Sequence, residues 1–505
     1  MSWFVVRLFA CTIVLCHVAF ADEFVAVRQL IKTRMAEEEI PSVVVGVVRG
    51  EKVLWEEAFG WADRENQVPA TIRTAYCIGS TTKPVTATAV MTLVGKGELS
   101  LDQPINEFLL DTPVESYVGS ANDATLRRML HHTSGLPGHW QTYFPEETAS
   151  RPSLEALIDR YAKIMIPPAE QFHYSNLGYA LLGEIVARCS DKSFDEYLQQ
   201  DVFAPLGMHD SFLAVGDISA TRRAAGYRAN GDRIDHVVTT VSGAADVYSS
   251  VHDLLRFGMF HNKSGPSGQS LELCEALIDE MQQATVPMGS EEYGLGWHVR
   301  TDLAGRRHVL HGGAHVGWEC HVDMIPDEKL CVVVLANKDV KWPGYRIALA
   351  VTDAIYSAIL DCPVEQVQPK GGHDLGFSPE NSVGLPGKLS GNWVGAVHTH
   401  DGKIPVSLTF HEDGDVHAKL RDGLIALVNE ARLDDNGNFT GRMLGDLGTP
   451  DSLRRTHDLQ WHASVRDGKL VGILYAVGTD PSGPGSGRGL YLAHWIQLER
   501  DQQTK

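Results

Sequence analysis

Positive charge is scarce in this chain. Its 505 residues include 44 lysines and arginines against 64 aspartates and glutamates, which gives a formal net charge of −20. Nucleic acids and anionic membranes attract basic proteins, so this balance argues against both as partners. We therefore expect a small-molecule partner and no nucleic-acid binding, while the oligomeric state stays open.

Cysteine is sparse and scattered. The eight cysteines form no Cys-x-x-Cys pair, and two of them fall within the first 21 residues. A chain of this length can bury a large core without disulfides, so we expect buried thiols at the other six, with a Cys320–Cys331 bridge as a minor alternative. His398 and His400 are close together, but nothing near them completes a ligand set. We interpret them as loop residues and expect no metal and no cofactor.

Long apolar runs are lacking beyond the N-terminus. There, Arg7 precedes the uncharged run from Leu8 to Phe20, which ends in a small-residue motif at Ala21. This order is typical of a secretory signal peptide, and the run is too short to span a bilayer as a helix. We predict that residues 1–21 are a signal peptide, that the mature protein is secreted or periplasmic, and that it has no integral membrane segment.

Apolar spacing predicts strands at both ends of a first domain and helices in its middle. The predicted strands are 43–48, 53–59, 293–299, 308–311, 320–325 and 331–336, and the predicted helices are 154–165, 177–189, 194–203, 251–260 and 345–360. This order favours an α+β fold, in which an antiparallel sheet completed by both ends of the domain is flanked by helices and accompanied by an all-helical subdomain.

A second, smaller domain follows a break in composition. Residues 363–387 are rich in Pro, Gly, Gln and Ser and predict a linker. From 388 to 505, short β-like runs alternate with Asp-Gly and Asn-Gly turn signals, which predicts an all-β barrel or sandwich. The predicted domains are therefore 22–362 and 388–505.

Ser80-Thr81-Thr82-Lys83 is the first candidate for chemistry. Gly79 predicts a tight turn, and the apolar run after Lys83 predicts a buried helix. Positions i and i+3 share a helix face, so the Lys83 amine can take the Ser80 proton if burial keeps the amine neutral. A helix N-terminus favours the negative charge that develops when Ser80 attacks a carbonyl. On its own, the tetrapeptide also fits a helix cap and a solvated lysine.

Two further motifs suit the same chemistry. Tyr174-Ser175-Asn176 offers a tyrosine that can shuttle a proton and an amide that can bind a substrate carbonyl, although a packed tyrosine and a helix cap would look the same. His311-Gly312-Gly313-Ala314 ends an apolar strand, and its glycines permit close approach to another backbone. An edge strand beside Ser80 would let the Ala314 N–H join the Ser80 N–H in an oxyanion hole. His315-Val316-Gly317 offers an alternative register for this motif.

In this order and spacing, the three motifs resemble the penicillin-recognising serine hydrolases of the class C β-lactamase type, which include D-Ala-D-Ala carboxypeptidases, D-aminopeptidases and esterases. Further similar stretches include 97–102, 130–136, 205–208 and 293–297, so that the resemblance covers about 24–361. It implies Ser80 as nucleophile, Lys83 and Tyr174 as candidate bases, and Asn176, His311, Gly313 and Ala314 as substrate-binding residues. Which of Lys83 and Tyr174 is the acylation base stays open.

The chain departs from this family where many relatives have Lys-Thr-Gly. His311 stands in place of that lysine, and an unperturbed histidine is mostly neutral at pH 7, so it binds a substrate carboxylate weakly. We therefore expect a serine hydrolase of esters or amides, an esterase before a D-aminopeptidase, a DD-carboxypeptidase or a weak β-lactamase. The alternative from a different functional class is a protein that binds cell-wall fragments without catalysis. The C-terminal domain is equally well interpreted as part of the active-site cleft or binding apparatus, or as a structural appendage.

Overall fold

The computed structural model describes residues 23–214, 222–234, 236–265, 270–339, 347–367, 389–434, 437–479 and 489–501. The predicted signal peptide and all but the first five residues of the predicted linker lie outside these ranges. The helices of the described residues, numbered in chain order, are α1 Val25–Glu37, α2 Thr82–Gly95, α3 Leu126–Leu130, α4 Leu154–Tyr161, α5 Asn176–Ser190, α6 Phe194–Tyr197, α7 Ala204–Leu206, α8 Ser242–Ala245, α9 Val251–His261, α10 Glu275–Met281, α11 Ile347–Ile359 and α12 Val364–Val367. None of them is long and apolar enough to cross a membrane.

The strands of the same ranges are β1 Ser42–Arg49, β2 Lys52–Asp63, β3 Val68–Pro69, β4 Tyr76–Cys77, β5 Glu115–Ser116, β6 Trp140–Tyr143, β7 Lys163–Ile164, β8 Phe212–Leu213, β9 Gly226–Tyr227, β10 Arg233–Ile234, β11 Val238–Thr239, β12 Val247–Ser249, β13 Val286–Met288, β14 Glu291–Tyr293, β15 His298–Thr301, β16 Arg307–His315, β17 Trp318–Ile325, β18 Leu330–Ala336, β19 Gly391–Thr399, β20 Gly402–Phe410, β21 Val416–Leu420, β22 Ala426–Leu427, β23 Asn429–Leu433, β24 Asn438–Leu444, β25 His457–Arg466, β26 Lys469–Gly478 and β27 Leu490–Arg500. They form two compact units. The first unit takes the described residues of 1–85, 195–235 and 247–373, and the second takes those of 86–194, 236–246 and 374–505.

The first unit is built on an antiparallel sheet in the order β13-β14-β15-β16-β17-β18-β1-β2-β3. The predicted strands 43–48 and 53–59 pair as the hairpin of β1 and β2, and β1 also pairs with β18, so both ends of the predicted domain complete one sheet. Val43, Val45 and Val47 of β1 point into a core shared with α1 and α11. Helix α9 packs on the other face of the sheet. There a Cβ on Gly46 would lie 2.7 Å from Leu255 Cδ1, so the glycine permits the close contact.

A buried ionic network joins Asp302, which directly follows β15, to residues of β16 and β17. His308 Nδ1 lies 2.8 Å from Asp323 Oδ1, and its Nε2 lies 3.3 Å from Asp302 Oδ2. Burial opposes ionisation of both carboxyls, but His308 and neighbouring arginines outweigh it and hold the pKa of Asp302 and of Asp323 at about 2. Burial also opposes a charge on His308, yet Asp323 and Asp302 raise its pKa above the ordinary value. The network is therefore charged near pH 6.

This network predicts a bell-shaped dependence of stability on pH. His308 contributes fully below its unfolded pKa of about 6.5, and its contribution is lost as pH rises through the raised folded value. The carboxylates contribute above about pH 4 and lose their contribution as pH falls toward their folded pKa of about 2. We expect His308→Gln to destabilise the protein by roughly 2–3 kcal/mol near pH 6, because both carboxylates lose a charged hydrogen-bond donor, while Arg300 and Arg306 still pair with them.

Thermal unfolding of the two proteins between pH 3 and pH 9 checks this expectation. The variant should have a lower melting temperature than the wild type near pH 6. Its melting temperature should not show the wild type's decline toward alkaline pH. His209→Gln is the matched control, since His209 is an exposed histidine of the same unit. Parallel curves for wild type and His308→Gln would contradict the proposed linkage.

The second unit combines helices α3, α4 and α5 with the C-terminal sheet. The C-terminal strands follow the order β22-β21-β20-β19-β27-β26-β25-β24-β23, and β6 of the helical part adds to β27. The end strands β22 and β23 are separated by Val428 alone, so the two ends of the sheet meet and nearly close a barrel. Of the two predicted forms, barrel and sandwich, the structure has the barrel-like one. The predicted α+β class with an added all-β part is confirmed.

Several local predictions were wrong. Helix α4 ends at Tyr161, where β7 follows, and the predicted strand 293–299 is interrupted because the chain turns at Gly296 with φ +88°. His398 lies in strand β19 rather than in a loop, and the predicted linker begins with helix α12. The six cysteines are free thiols, so no Cys320–Cys331 bridge is present; Cys274 is exposed and Cys189 and Cys362 are half-buried, rather than buried as predicted.

Candidate active site

Ser80 lies in a single 3₁₀ turn, Gly79–Thr81, that leads directly into α2. Gly79 enters this turn at φ +50°, a conformation that favours glycine, as the sequence predicts. The turn is fixed on one side by Val247 of β12, which accepts the Ile78 N–H at 3.0 Å and donates its own N–H to Thr82 Oγ1 at 3.2 Å. Ser80 is thus half-buried on a rigid turn at the start of a helix.

Lys83 is fully buried, and its Nζ lies 3.2 Å from Ser80 Oγ. The predicted i, i+3 contact therefore forms. Burial lowers the pKa of the Lys83 amine well below its ordinary value. A neutral amine at this distance can accept the Ser80 proton, which the alternative of a helix cap with a solvated lysine does not provide.

Strand β16 lies directly against the Ser80 turn. A Cβ on Gly313 would fall 1.8 Å from the Ile78 carbonyl oxygen, and one on Gly79 would fall 2.8 Å from the backbone of Ala314. Thr81 Oγ1 also donates a hydrogen bond of 3.3 Å to the His311 carbonyl oxygen. Two glycines thus permit the backbone contact that the sequence predicts between the His311 motif and the Ser80 motif.

β16 is not an edge strand, contrary to the prediction. It pairs with β17 from Val309 to His315 and with β15 from Arg307 to Leu310. The pairing with β15 ends there, so in the described part of the chain residues 311–315 have a strand partner on one side. β16 is therefore an inner strand whose second edge has no strand partner beyond Leu310 among the described residues.

The structure also distinguishes the two registers of the motif. His311, Gly313 and Ala314 contact the turn around Ser80, whereas Gly317 turns the chain between β16 and β17 at φ +91°. A Cβ on Gly317 would lie 2.9 Å from Gly226 Cα, away from this turn. The geometry favours His311-x-Gly313 over His315-x-Gly317.

His311 is buried and held by two hydrogen-bond partners. Its Nδ1 lies 2.8 Å from the Gly312 carbonyl oxygen, and its Nε2 lies 3.1 Å from the Tyr293 hydroxyl. Burial, followed by His298 and Lys83, lowers the pKa of His311 well below its ordinary value. Because a carbonyl oxygen only accepts, the neutral ring carries its proton on Nδ1, and Tyr293 donates to Nε2. No positive charge therefore stands at this position near pH 7.

Sequence reasoning assigned no role to Tyr293 or to His298. The His298 ring centroid lies 4.8 Å from that of His311, and its Nδ1 lies 3.1 Å from Glu291 Oε2. The available signal was the stretch Tyr293-Gly294-Leu295-Gly296-Trp297-His298, in which two polar aromatic residues flank a glycine turn. Which strand this turn adjoins depends on sheet order, and that order is long-range information.

Tyr174 and Asn176 belong to the second unit. Asn176 is the first residue of α5, and Ser175 caps that helix by accepting the Gly178 N–H at 3.0 Å. The Tyr174 ring packs on His132 with their centroids 4.4 Å apart. His132 Nδ1 accepts the Ser175 N–H at 3.1 Å. The predicted helix start is confirmed, and the joint action of these residues with Ser80 stays a prediction.

Comparison with known proteins identifies the family. The family model described as Beta-lactamase matches residues 27–354 of the chain. The chain belongs to the β-lactamase family. The D-aminopeptidase of Gluconobacter oxydans (strain 621H) is 26% identical over 377 residues, which are 70% of this chain but 63% of that enzyme. This β-lactamase-family chain thus spans less than two thirds of the relative's length.

Solved structures bear on the fold of the whole chain. SurE superimposes with a TM-score of 0.62 at 22% identity and covers 94% of this chain and 99% of its own. The octameric penicillin-binding protein homologue from Pyrococcus abyssi gives a TM-score of 0.54 at 22% identity and covers 93% and 99%. Both matches extend well beyond the 27–354 region. The predicted resemblance to β-lactamase-type and penicillin-binding serine hydrolases is therefore confirmed.

Proposed function

We propose that this member of the β-lactamase family is a secreted or periplasmic serine hydrolase that cleaves an ester or amide bond through an acyl-enzyme on Ser80. The observation that carries the proposal is the buried Lys83 amine, 3.2 Å from Ser80 Oγ, whose lowered pKa suits it to accept the hydroxyl proton. Ser80 attacks the carbonyl carbon, the alcohol or amine leaves with a proton, and water then releases the acid.

The other residues act around this step in the proposed mechanism. Tyr174 protonates the leaving group or activates the deacylating water, and Asn176 binds a substrate carbonyl or amide. The N–H groups of Ser80 and Ala314 stabilise the oxyanion, which the contact between Gly79 and Ala314 supports. His311 and Gly313 line the acyl side of the site. Lys83 and Tyr174 both remain candidates for the acylation base.

We propose that the substrate is an ester or amide without an essential carboxylate. The neutral state of His311 supports this, because a neutral ring supplies no charge to pair with an anionic substrate group. An esterase is the first candidate. A D-aminopeptidase is the second, favoured by the 26% identity to the Gluconobacter oxydans enzyme.

A matched pair of esters tests the substrate class. Because His311 is uncharged, we expect kcat/KM for p-nitrophenyl butyrate to exceed that for mono-p-nitrophenyl succinate, which adds a carboxylate to a similar acyl chain. His311→Lys should shift this ratio toward the succinate by roughly tenfold, the effect of one charge-assisted hydrogen bond. His209→Lys places the same charge at an exposed histidine and should leave the ratio unchanged.

Faster wild-type turnover of the succinate ester would contradict the neutral-substrate proposal. Turnover of D-alanine p-nitroanilide above that of both esters would favour the D-aminopeptidase. A binding protein without catalysis predicts that none of these substrates is turned over and that no acylating probe labels Ser80.

A further inference from the structure

Tyr475 connects the C-terminal sheet to the segment that carries Tyr174. It lies in β26 with its side chain fully buried, and its hydroxyl is 2.7 Å from His173 Nε2. Burial lowers the pKa of His173 to about 4 and raises that of Tyr475 well above its ordinary value. Both groups are therefore neutral near pH 7 and share one hydrogen bond inside the protein, where a lost partner is costly.

The other side of the same segment is held by His132. The His173 N–H donates to the His132 carbonyl oxygen at 2.8 Å, and the Ser175 N–H donates to His132 Nδ1 at 3.1 Å. Tyr174 lies between these two anchored residues, with its ring packed on the His132 ring. The backbone on both sides of Tyr174 is thus fixed, while its own side chain is half-buried.

A second contact from the sheet reaches the Tyr174 backbone through Gly138. The Tyr491 ring stacks on that of Tyr475 with centroids 4.3 Å apart. A Cβ on Gly138 would lie 2.8 Å from Tyr491 Cε1 and 3.4 Å from the Tyr174 carbonyl oxygen, so Gly138 fits between the two. The Tyr475 ring therefore contacts the second chain segment beside Tyr174 through the Tyr491 ring.

The sheet that presents Tyr475 is itself fixed to the helical part of the second unit. β27 pairs with β6 through Leu490–Gln141 and Tyr491–Trp140. Asp451 accepts hydrogen bonds from the Tyr161 hydroxyl at 2.7 Å and from Arg160. Tyr475 is thus carried by a sheet with several attachments, which is the support that a positioned side chain needs.

We propose that Tyr475 is a positioning residue for Tyr174, and that the C-terminal sheet acts in catalysis by holding the segment 173–175 through the Tyr475–His173 hydrogen bond. This inference rests on the proposed function, in which Tyr174 is the proton-transfer group. It gives the C-terminal domain a role different from a cleft wall, a binding module or a passive appendage. A displacement of about 1 Å is enough to lower a rate by up to 10²-fold, so a second support for Tyr174 has kinetic value.

Tyr475→Phe tests the proposal, since it removes the hydroxyl and keeps the ring that stacks on Tyr491. We expect kcat for p-nitrophenyl butyrate to fall about tenfold with little change in KM. Tyr227→Phe is the matched control, because it removes the hydroxyl of another buried tyrosine, which bonds Glu65 in the first unit rather than the Tyr174 segment or the support of the C-terminal sheet. This control should keep the wild-type kcat. An equal fall in both variants, or no fall in Tyr475→Phe, would overturn the proposal.

A double-mutant cycle separates positioning from general destabilisation. If Tyr475 acts through Tyr174, then Tyr475→Phe should have no further effect on kcat in a Tyr174→Phe background. The same tenfold loss in both backgrounds would show that Tyr475 acts elsewhere and would reject the inference.

Hydrogen exchange keeps the test independent of activity. Tyr475→Phe should raise the exchange rate of the His173 and Ser175 amides, which bond to His132, above the rate in Tyr227→Phe. Unchanged exchange would count against positioning even in an inactive protein. Failure of wild-type Ser80 to react with an acylating probe, together with raised exchange in Tyr475→Phe, would instead reject the proposed hydrolase mechanism and leave the structural link intact.

Discussion

Ser80→Ala is expected to reduce hydrolysis of p-nitrophenyl butyrate by roughly 10³-fold or more, to near the background rate. The substitution deletes the Oγ atom that accepts the acyl group. The backbone conformation of the Gly79–Thr81 turn should stay the same. Steady-state kinetics of the wild type and the variant measure the effect. Equal melting temperatures of the two proteins show that the variant is folded. Intact-mass detection of an acyl adduct should find it on the wild type and not on the variant.

Lys83→Met should cause a loss of similar order, because it removes the amine 3.2 Å from Ser80 Oγ that can take the hydroxyl proton; a small loss would favour Tyr174 as the acylation base. Methionine keeps the apolar stem of Lys83, so the buried position stays filled while the amine is removed. Two exposed residues that follow the same helix provide controls: Ser100→Ala and Lys96→Met should retain wild-type rates. Equal activity of Ser80→Ala and wild type would show that another group carries the reaction.

The parts of the site that could be predicted from the sequence depend on short-range geometry. Ser80 and Lys83 meet because they are three residues apart on a helix, and Ser175 caps α5 because it precedes an apolar helical run. The β1–β2 hairpin follows from two apolar runs separated by a turn. Each of these inferences needs information from within about 20 residues.

The parts that escaped prediction depend on which distant strands are neighbours. Tyr293 reaches His311 because β14 and β16 lie on either side of β15, and no local pattern specifies that order. The attachment of β6 to β27 is similar, since Leu490 pairs with Gln141 and Tyr491 with Trp140, which are 349 and 351 positions apart. The ionic network of Asp302, His308 and Asp323 also joins the end of one strand to two neighbouring strands. The local spacing of apolar residues does not predict such contacts.

The contact made by Gly313 could be predicted only in part from the sequence. The glycines of His311-Gly312-Gly313 predict a close backbone approach, but the sequence does not say which glycine makes it. The structure separates them: a Cβ on Gly313 would lie 1.8 Å from the Ile78 carbonyl oxygen, whereas one on Gly312 would lie 3.7 Å from His321 Cδ2, an ordinary contact. Adjacent glycines of one strand thus differ in what they permit.

Gly313→Ala is therefore expected to lower kcat/KM by roughly 10²-fold, because the backbone of β16 must move away from the Ser80 turn to relieve the overlap. The movement separates Ala314 from Ser80, whose N–H groups form the proposed oxyanion hole, and loss of one such donor costs about 10²–10³ in kcat. Gly312→Ala adds the same methyl group one residue away and should keep kcat/KM within a few-fold of the wild type. Kinetics of both variants measure this difference.

Comparing Gly312→Ala with Gly313→Ala also distinguishes a local effect on catalysis from a loss of folding. Gly313→Ala should lower the melting temperature as well, because overpacking a buried contact typically costs about 1–3 kcal/mol. A protein that stays folded by circular dichroism, with kcat reduced and KM little changed, would locate the defect in transition-state stabilisation. Equal kinetics for Gly312→Ala and Gly313→Ala would mean that the contact between β16 and the Ser80 turn does not set the rate, and the oxyanion role of Ala314 would then be rejected.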